Sequence, residues 1–167
     1  MTHVRPAVAA DAHAVARVHV RAWQSAYRGL LAPDYLDGLR PEAWAARYAF
    51  ERVGLGLPST LVAVDGAVIR GLVTTGLSRE RPNAGELMAL YVDPACTGTG
   101  VGRLLMAAAR ERLRGLGVAE ALLWVLDLNT RARRFYERDG WRFDGARRTE
   151  SYGDSQAQLL RYRCAPV

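Results

Sequence analysis

The chain has 167 residues, 50% of them apolar and 24% charged, which is the size and balance of one globular domain with a substantial core. No apolar run approaches the ~20 residues that span a bilayer, and the first 16 residues are broken up by His3, Arg5, Asp11 and His13, unlike a secretory leader, so a cytoplasmic protein is expected. Net charge is +6 and all 23 basic residues are arginine, which excludes a Schiff-base lysine; the charge is spread over both halves without a basic, aromatic-interleaved run, so neither a nucleic-acid partner nor a membrane is expected.

In chain order, Val4–Ala7 reads as a short extended opening. Asp11 is placed to cap a helix whose apolar face includes Ala14, Val15, Val18 and Ala22, with Trp23 and Tyr27 near its end and Gly29, Pro33 and Asp34 breaking it. A second helix is expected over 41–52, carrying Trp44, Tyr48 and Phe50. Asp65-Gly66, between Leu61–Val64 and Val68–Ile69, is the strongest hairpin signal in the chain. Glu86 opens a strand that ends at Asp93-Pro94, because proline removes a ladder donor. Strict alternation puts Glu86 on the same face as Met88 and Leu90.

Beyond that strand, Gly98, Gly100 and Gly102 alternate through a short loop, and Leu105, Ala109, Leu113 and Leu116 then recur at helical spacing. Glycines between a strand end and a helix start let backbone N–H groups point at an anion on the positive end of the helix dipole. The loop is therefore read as a phosphate cradle, with a plain glycine-rich turn as the alternative that the glycines alone favour. A Walker loop needs a Lys before a Ser or Thr, but Arg103 and Leu104 follow Gly102; a dinucleotide fingerprint needs a Gly-x-Gly-x-x-Gly spacing that is absent. Next come a buried strand over Ala121–Leu126, a helix capped by Asn129 or Thr130 and stopped at Gly140, a strand from Trp141, and a last one over Leu159–Tyr162. Cys96 and Cys164 suggest neither a disulfide framework nor a metal site, and His3, His13 and His19 form no metal or nucleophile–base arrangement.

Three blocks carry a resemblance. Thr97-Gly98-Thr99-Gly100-Val101-Gly102 after Tyr91-Val92-Asp93-Pro94 resembles the acetyl-CoA pyrophosphate loop of the GNAT superfamily of acyl-CoA-dependent N-acyltransferases. Leu123–Asn129 with Arg131-Ala132, Phe135-Tyr136-Glu137 and Gly140-Trp141 resembles that family's next strand and helix, and Trp23–Leu31 resembles the amino-terminal helix and loop of a large bacterial branch. The blocks follow family order along nearly the whole chain. One departure is Thr97, where the family usually carries Arg or Gln. The resemblance implies a single α+β domain over residues 1–167, with a central mixed, mostly antiparallel sheet of about seven strands flanked by about four helices.

It also implies acetyl-CoA as acyl donor, no metal, direct acetyl transfer to a primary amine, and a monomer or homodimer. By resemblance, Leu90, Tyr91 and Val92 line the pantetheine arm, with a backbone N–H near Tyr91 facing the thioester oxygen, while Thr97, Gly98, Thr99, Gly100, Val101, Gly102 and Arg103 form the pyrophosphate loop. Asn129 and Arg131 are further cofactor contacts, and Arg134 is another arginine within reach of the phosphates. Tyr136 matches the acid that protonates the leaving thiolate; the alternative is a core aromatic. Glu86 is the candidate base, directly or through water, against the alternative of a solvated strand-end carboxylate. Trp23, Tyr27 and Arg28 fall where the family's first helix and loop cover the acceptor, although Trp23 and Tyr27 also have the spacing of core residues. A small-molecule amine is the expected acceptor; a protein amine and a non-catalytic acyl-CoA-binding module are the alternatives.

Overall fold

The computed structural model describes residues 1–167. Seven strands form one sheet: β1 (Thr2–Pro6), β2 (Ser59–Asp65), β3 (Val68–Leu77), β4 (Gly85–Val92), β5 (Ala121–Leu126), β6 (Arg142–Tyr152) and β7 (Ser155–Cys164). Their order across the sheet is β1-β2-β3-β4-β5-β7-β6, and every neighbouring pair is antiparallel except β4 and β5. The helices are α1 (Ala12–Ala26), α2 (Pro33–Asp37), α3 (Pro41–Ala45), α4 (Val101–Gly115) and α5 (Thr130–Arg138). No helix is long and apolar enough to cross a membrane.

The helices cover both faces of the sheet. On one face the buried side of α4 (Val101, Leu105, Met106, Ala109 and Leu113) packs with Val73, Leu87, Leu123, Val125, Leu160, Tyr136 and Trp141. Gly71 permits the close approach of α4: a Cβ there would lie 2.8 Å from Leu105 Cδ1 and 2.8 Å from the Tyr91 carbonyl oxygen. On the other face, Val15 and Val18 of α1 meet Val62, Val64 and Leu72, and a smaller cluster joins Leu31 and Leu36 to Leu126, Tyr152 and Leu159. Each large aliphatic side chain so buried contributes about 1.5–3 kcal/mol.

Several expectations need correction. Asp11 precedes α1 but does not cap it; its carboxylate instead accepts from Arg5 at 2.7 and 3.0 Å and from the Val8 amide at 2.8 Å. These contacts hold its pKa down, the Arg5 hydrogen bond being the largest cause. The helices number five, in line with the about four expected, the short α2 starting at Pro33. The helix expected over 41–52 ends at Ala45, after which Tyr48 and Phe50 turn in against the α1 face of the sheet. The last two strands are longer than the apolar pattern suggested and join as a hairpin, Tyr152 pairing with Ser155 around Gly153. Both cysteines are free.

His19 is the one histidine enclosed by this packing. It is 6% exposed, stacks on Tyr91 with ring centroids 4.5 Å apart and meets the Tyr48 hydroxyl through Nδ1 at 2.7 Å. Burial, with a smaller contribution from Arg47, lowers its pKa to about 4. The unfolded chain therefore binds this proton at higher pH than the folded one, so stability is complete above about 6.5 and falls as the pH drops toward 4. Denaturant titrations across that window are expected to show up to about 3 kcal/mol of pH-dependent stability from this residue. In His19→Phe the corresponding slope should disappear.

Candidate active site

The site begins with an irregularity in β4. Thr74 of β3 faces Ala89, whereas the next residue, Thr75, faces Leu87, so Met88 is an extra residue with no partner. Such a bulge bends the strand and increases its local twist. On its other side, β4 pairs with β5 through only Gly85↔Ala121 and Glu86↔Leu122. From Leu87 onward the two parallel strands diverge. The bulge also breaks the expected alternation. Leu87, Leu90 and Val92 all pack with the α4 cluster, while Tyr91 packs on the α1 side. Glu86 shares a face with Met88 as expected, but Leu90 lies on the opposite one.

The divergence leaves backbone groups free. The Asp93 amide donates to Arg70 of β3 at 2.8 Å. By alternation the Tyr91 amide also faces β3, and those of Leu90 and Val92 face the gap. Asp93 anchors this end of the strand: it is 5% exposed, accepts from the Ala95 amide at 3.0 Å, and pairs with Arg21 of α1 at 3.2 Å.

The glycine loop expected to cradle phosphate adjoins the open end. Gly98 and Gly100 have φ of +81° and +94°, in the left-handed region that disfavours any side chain, and Gly100 is the N-cap of α4. The first intrahelical bond runs from Leu104 N–H to Gly100 C=O, so the amides of Val101, Gly102 and Arg103 have no helical partner. Thr97 and Thr99 turn their hydroxyls onto the loop itself, donating to Pro94 C=O at 3.0 Å and Cys96 C=O at 2.5 Å. A threonine at position 97 thus braces the loop rather than reaching for a ligand.

The diverging strands, the loop, α1 and α5 enclose a cleft of about 600 Å³. Of the residues expected at the site, it is lined by Trp23, Tyr27, Leu90, Tyr91, Val92, Thr97, Gly98, Gly100, Gly102, Arg103, Asn129, Arg131 and Tyr136. Asn129 caps α5, its Oδ1 accepting from the Ala132 amide at 3.2 Å, which leaves its NH₂ group free for a ligand. Tyr136 is buried, and burial is the main reason that its pKa rises well above the ordinary phenol value, with nearby Tyr91 adding to it.

Other expected residues fall outside the lining. Arg28 is tied to Asp37 at 3.0 Å. The Thr99 side chain faces its own loop, and Val101 belongs to the core under α4. Arg134 lies toward Arg142 and Phe143; Arg138, one turn along α5, borders that surface too but also lines the cleft, on the helix face of Arg131 and Phe135. Glu86 sits where β4 and β5 are still paired, just behind the opening. It is half-buried, and its pKa is raised chiefly by burial, then by Glu80, with Arg148 and Arg79 opposing.

Sequence reasoning also missed Met88, Ala89, Trp124 and Phe135 as lining residues. The first two follow from the bulge, which has no sequence signature here. Phe135 follows from Arg131 and Arg138 once the face of α5 is known.

A free strand edge leading from an anion cradle to a buried phenol is the architecture of an acyl-CoA-dependent acyltransferase. The chain belongs to the acetyltransferase (GNAT) family, whose profile matches residues 20–141. It is 31% identical over 137 residues to the uncharacterised N-acetyltransferase YuaI of Bacillus subtilis, covering 77% of this chain and 74% of that one. A probable N-acetyltransferase of Mycobacterium tuberculosis is 29% identical over 143 residues, 85% of this chain and 80% of that one. Among solved structures, the PaiA N-acetyltransferase of Thermoplasma acidophilum in complex with coenzyme A superposes with a TM-score of 0.76 at 18% identity, over 99% of both chains. YncA of Salmonella typhimurium, a putative acetyltransferase with acetyl-CoA, gives 0.75 at 20% identity, over 100% of this chain and 95% of that one.

Gly100 tests the cradle directly. Nothing lies within 4 Å of a Cβ built there, so the penalty for a side chain is backbone strain and obstruction of the anion, not a clash within the core. Gly100→Val is expected to weaken acetyl-CoA binding at least about tenfold in calorimetry, or about 1.4 kcal/mol, by displacing the loop amides and obstructing the anion. The left-handed φ forced on valine costs about 1–3 kcal/mol in the fold itself, so the thermal midpoint should also fall by several degrees.

Proposed function

We propose that the protein is an acetyl-CoA-dependent N-acetyltransferase that passes the acetyl group directly to a primary amine on a small molecule. The observation that carries this reading is the divergence of β4 from β5 after Glu86, with the phosphate cradle at one end and Tyr136 beside the gap. The free amides of the loop and of the α4 start would receive the pyrophosphate, with Arg103 and Arg131 adding charge. The pantetheine arm would pair with Leu90 and Val92 as an added strand beside β4, held from α5 by Asn129. A gap-facing amide of this stretch would polarise the thioester carbonyl. We further place the enzyme in the cytoplasm of a bacterium, in keeping with its bacterial relatives.

The chemistry then balances within the site. The amine nitrogen attacks the thioester carbonyl carbon, the C–S bond breaks, and the departing thiolate takes the proton of Tyr136. Burial favours the neutral phenol, so Tyr136 holds its proton until a stronger demand develops. The amine proton leaves through water to Glu86, whose raised pKa makes it a better base than an ordinary carboxylate. The products are the acetylated amine and coenzyme A as its thiol.

Tyr136→Phe should reduce kcat by about 100-fold while acetyl-CoA affinity stays within about twofold, because only a transition-state interaction is lost. A rate unchanged across pH, with chemistry limiting, would return Tyr136 to the core. For Glu86, the base must be ionised, so the rate should rise with pH through an acidic limb lying above the ordinary carboxylate range. Glu86→Gln should lower the rate and abolish that limb; a limb kept at the same position would assign the proton to another group.

A further inference from the structure

The acceptor end of the cleft has a composition that restricts what it can receive. No aspartate, glutamate or histidine lines the cleft, and the charged groups that do are Arg103, Arg131 and Arg138. Of the carboxylates behind it, Glu80 and Glu150 are already matched, and Glu86 is the one without an ion pair. Glu80 accepts from Trp124 Nε1 at 2.8 Å with Arg161 at 3.9 Å, and Glu150 pairs with Arg148 at 2.8 Å. A polyamine or aminoglycoside would bring several charges into a site where Glu86 is the single unpaired carboxylate and a positive field lies at the other end.

What the walls do offer is aromatic. Trp23 and Tyr27 of α1 pack edge to face at 5.1 Å, and Trp124 carries the Arg148 guanidinium 4.3 Å over its ring. Tyr48, Tyr152 and Tyr162 bond to His19, Glu150 and Glu137, but the hydroxyls of Tyr27 and Tyr136 have no such partner, and the Tyr91 oxygen has only the Trp23 indole N–H beside it. All three line the same cleft. Phenol oxygens can accept from the N–H groups of one amine, and ring faces attract a single cation and stack on flat groups.

We propose that the acceptor is a monoamine on a flat, otherwise uncharged body, an arylalkylamine by chemical class. Its nitrogen is received by the Tyr27 and Tyr91 phenols and its body by the Trp23 and Trp124 rings. This rests on the acetyl-transfer reading above, and the experiment separates the two. Thiol release from acetyl-CoA is measured with 2-phenylethylamine, spermidine and kanamycin, and amine binding alone is followed by tryptophan fluorescence and calorimetry. The expected result is kcat/KM for 2-phenylethylamine at least about 100-fold above the other two, two decades being the effect of two lost contacts of ordinary size. Tyr27→Phe should raise KM for the amine about tenfold, the loss of one such contact, with acetyl-CoA affinity unchanged. Trp124→Phe, which keeps a ring, should retain more activity than Trp124→Ala.

Equal or better turnover of spermidine or kanamycin overturns the proposal, as does absence of phenylethylamine turnover in protein that binds acetyl-CoA normally. If acetyl-CoA does not bind, the acetyl-transfer reading fails; direct binding of 2-phenylethylamine in preference to spermidine would still support the cleft assignment, and its absence would refute it.

Discussion

Two residue pairs hold β4 to β5, and the rest of the active site depends on their being so few. A parallel pair that continued to Val92 would spend the Leu90 and Val92 backbone groups on β5 and close the cleft. The Met88 bulge bends β4 away at the point where pairing stops, and the unspent donors and acceptors become binding groups. Leaving them unpaired inside a protein would be costly, so the arrangement suits a strand-like ligand that completes the ladder.

The surrounding packing keeps the divergence in place. Gly71 lets Leu105 press against β3 directly behind the strand, so α4 fills the space beneath the departing end of β4. Arg21 and the Ala95 amide hold Asp93 on the α1 side, fixing where the strand hands over to the loop. The same contacts set the direction of α4 and therefore of its unpaired N-terminal amides. Cradle and strand edge are consequently registered to each other by a few buried contacts.

The two faces of the sheet take different chemical tasks. Tyr136 comes from the α4/α5 face, while Tyr91, Trp23 and Tyr27 come from the α1 face. They meet because the gap leads through the sheet. On the α4/α5 face arginines and helix amides suit phosphates; on the α1 face rings and phenols suit a less charged partner. Burial raises the pKa of all three cleft tyrosines, which preserves their hydroxyls as neutral donors and acceptors.

Local chemistry made much of this legible in the sequence. Asp93-Pro94, the alternating glycines and the Asn129 cap each act within a few residues, so the strand end, the cradle and the starts of α4 and α5 were readable without a fold. The motif positions likewise indicated Tyr136 and the seven-stranded mixed sheet. Face assignment was different. Nothing about Met88 or Ala89 marks a bulge; it exists because β3 and β4 pair out of step, which reversed the expected placement of Leu90 relative to Glu86. The 41–52 helix ended early because Tyr48 and Phe50 are drawn to a surface built by distant strands. Arg138 replaced Arg134 in the cleft because the docking of α5, not its sequence, chose the inward side. Short-range hydrogen bonding and backbone preference are written residue by residue, whereas strand register and the aim of a helix face are settled only when separate segments compete for the same buried surface.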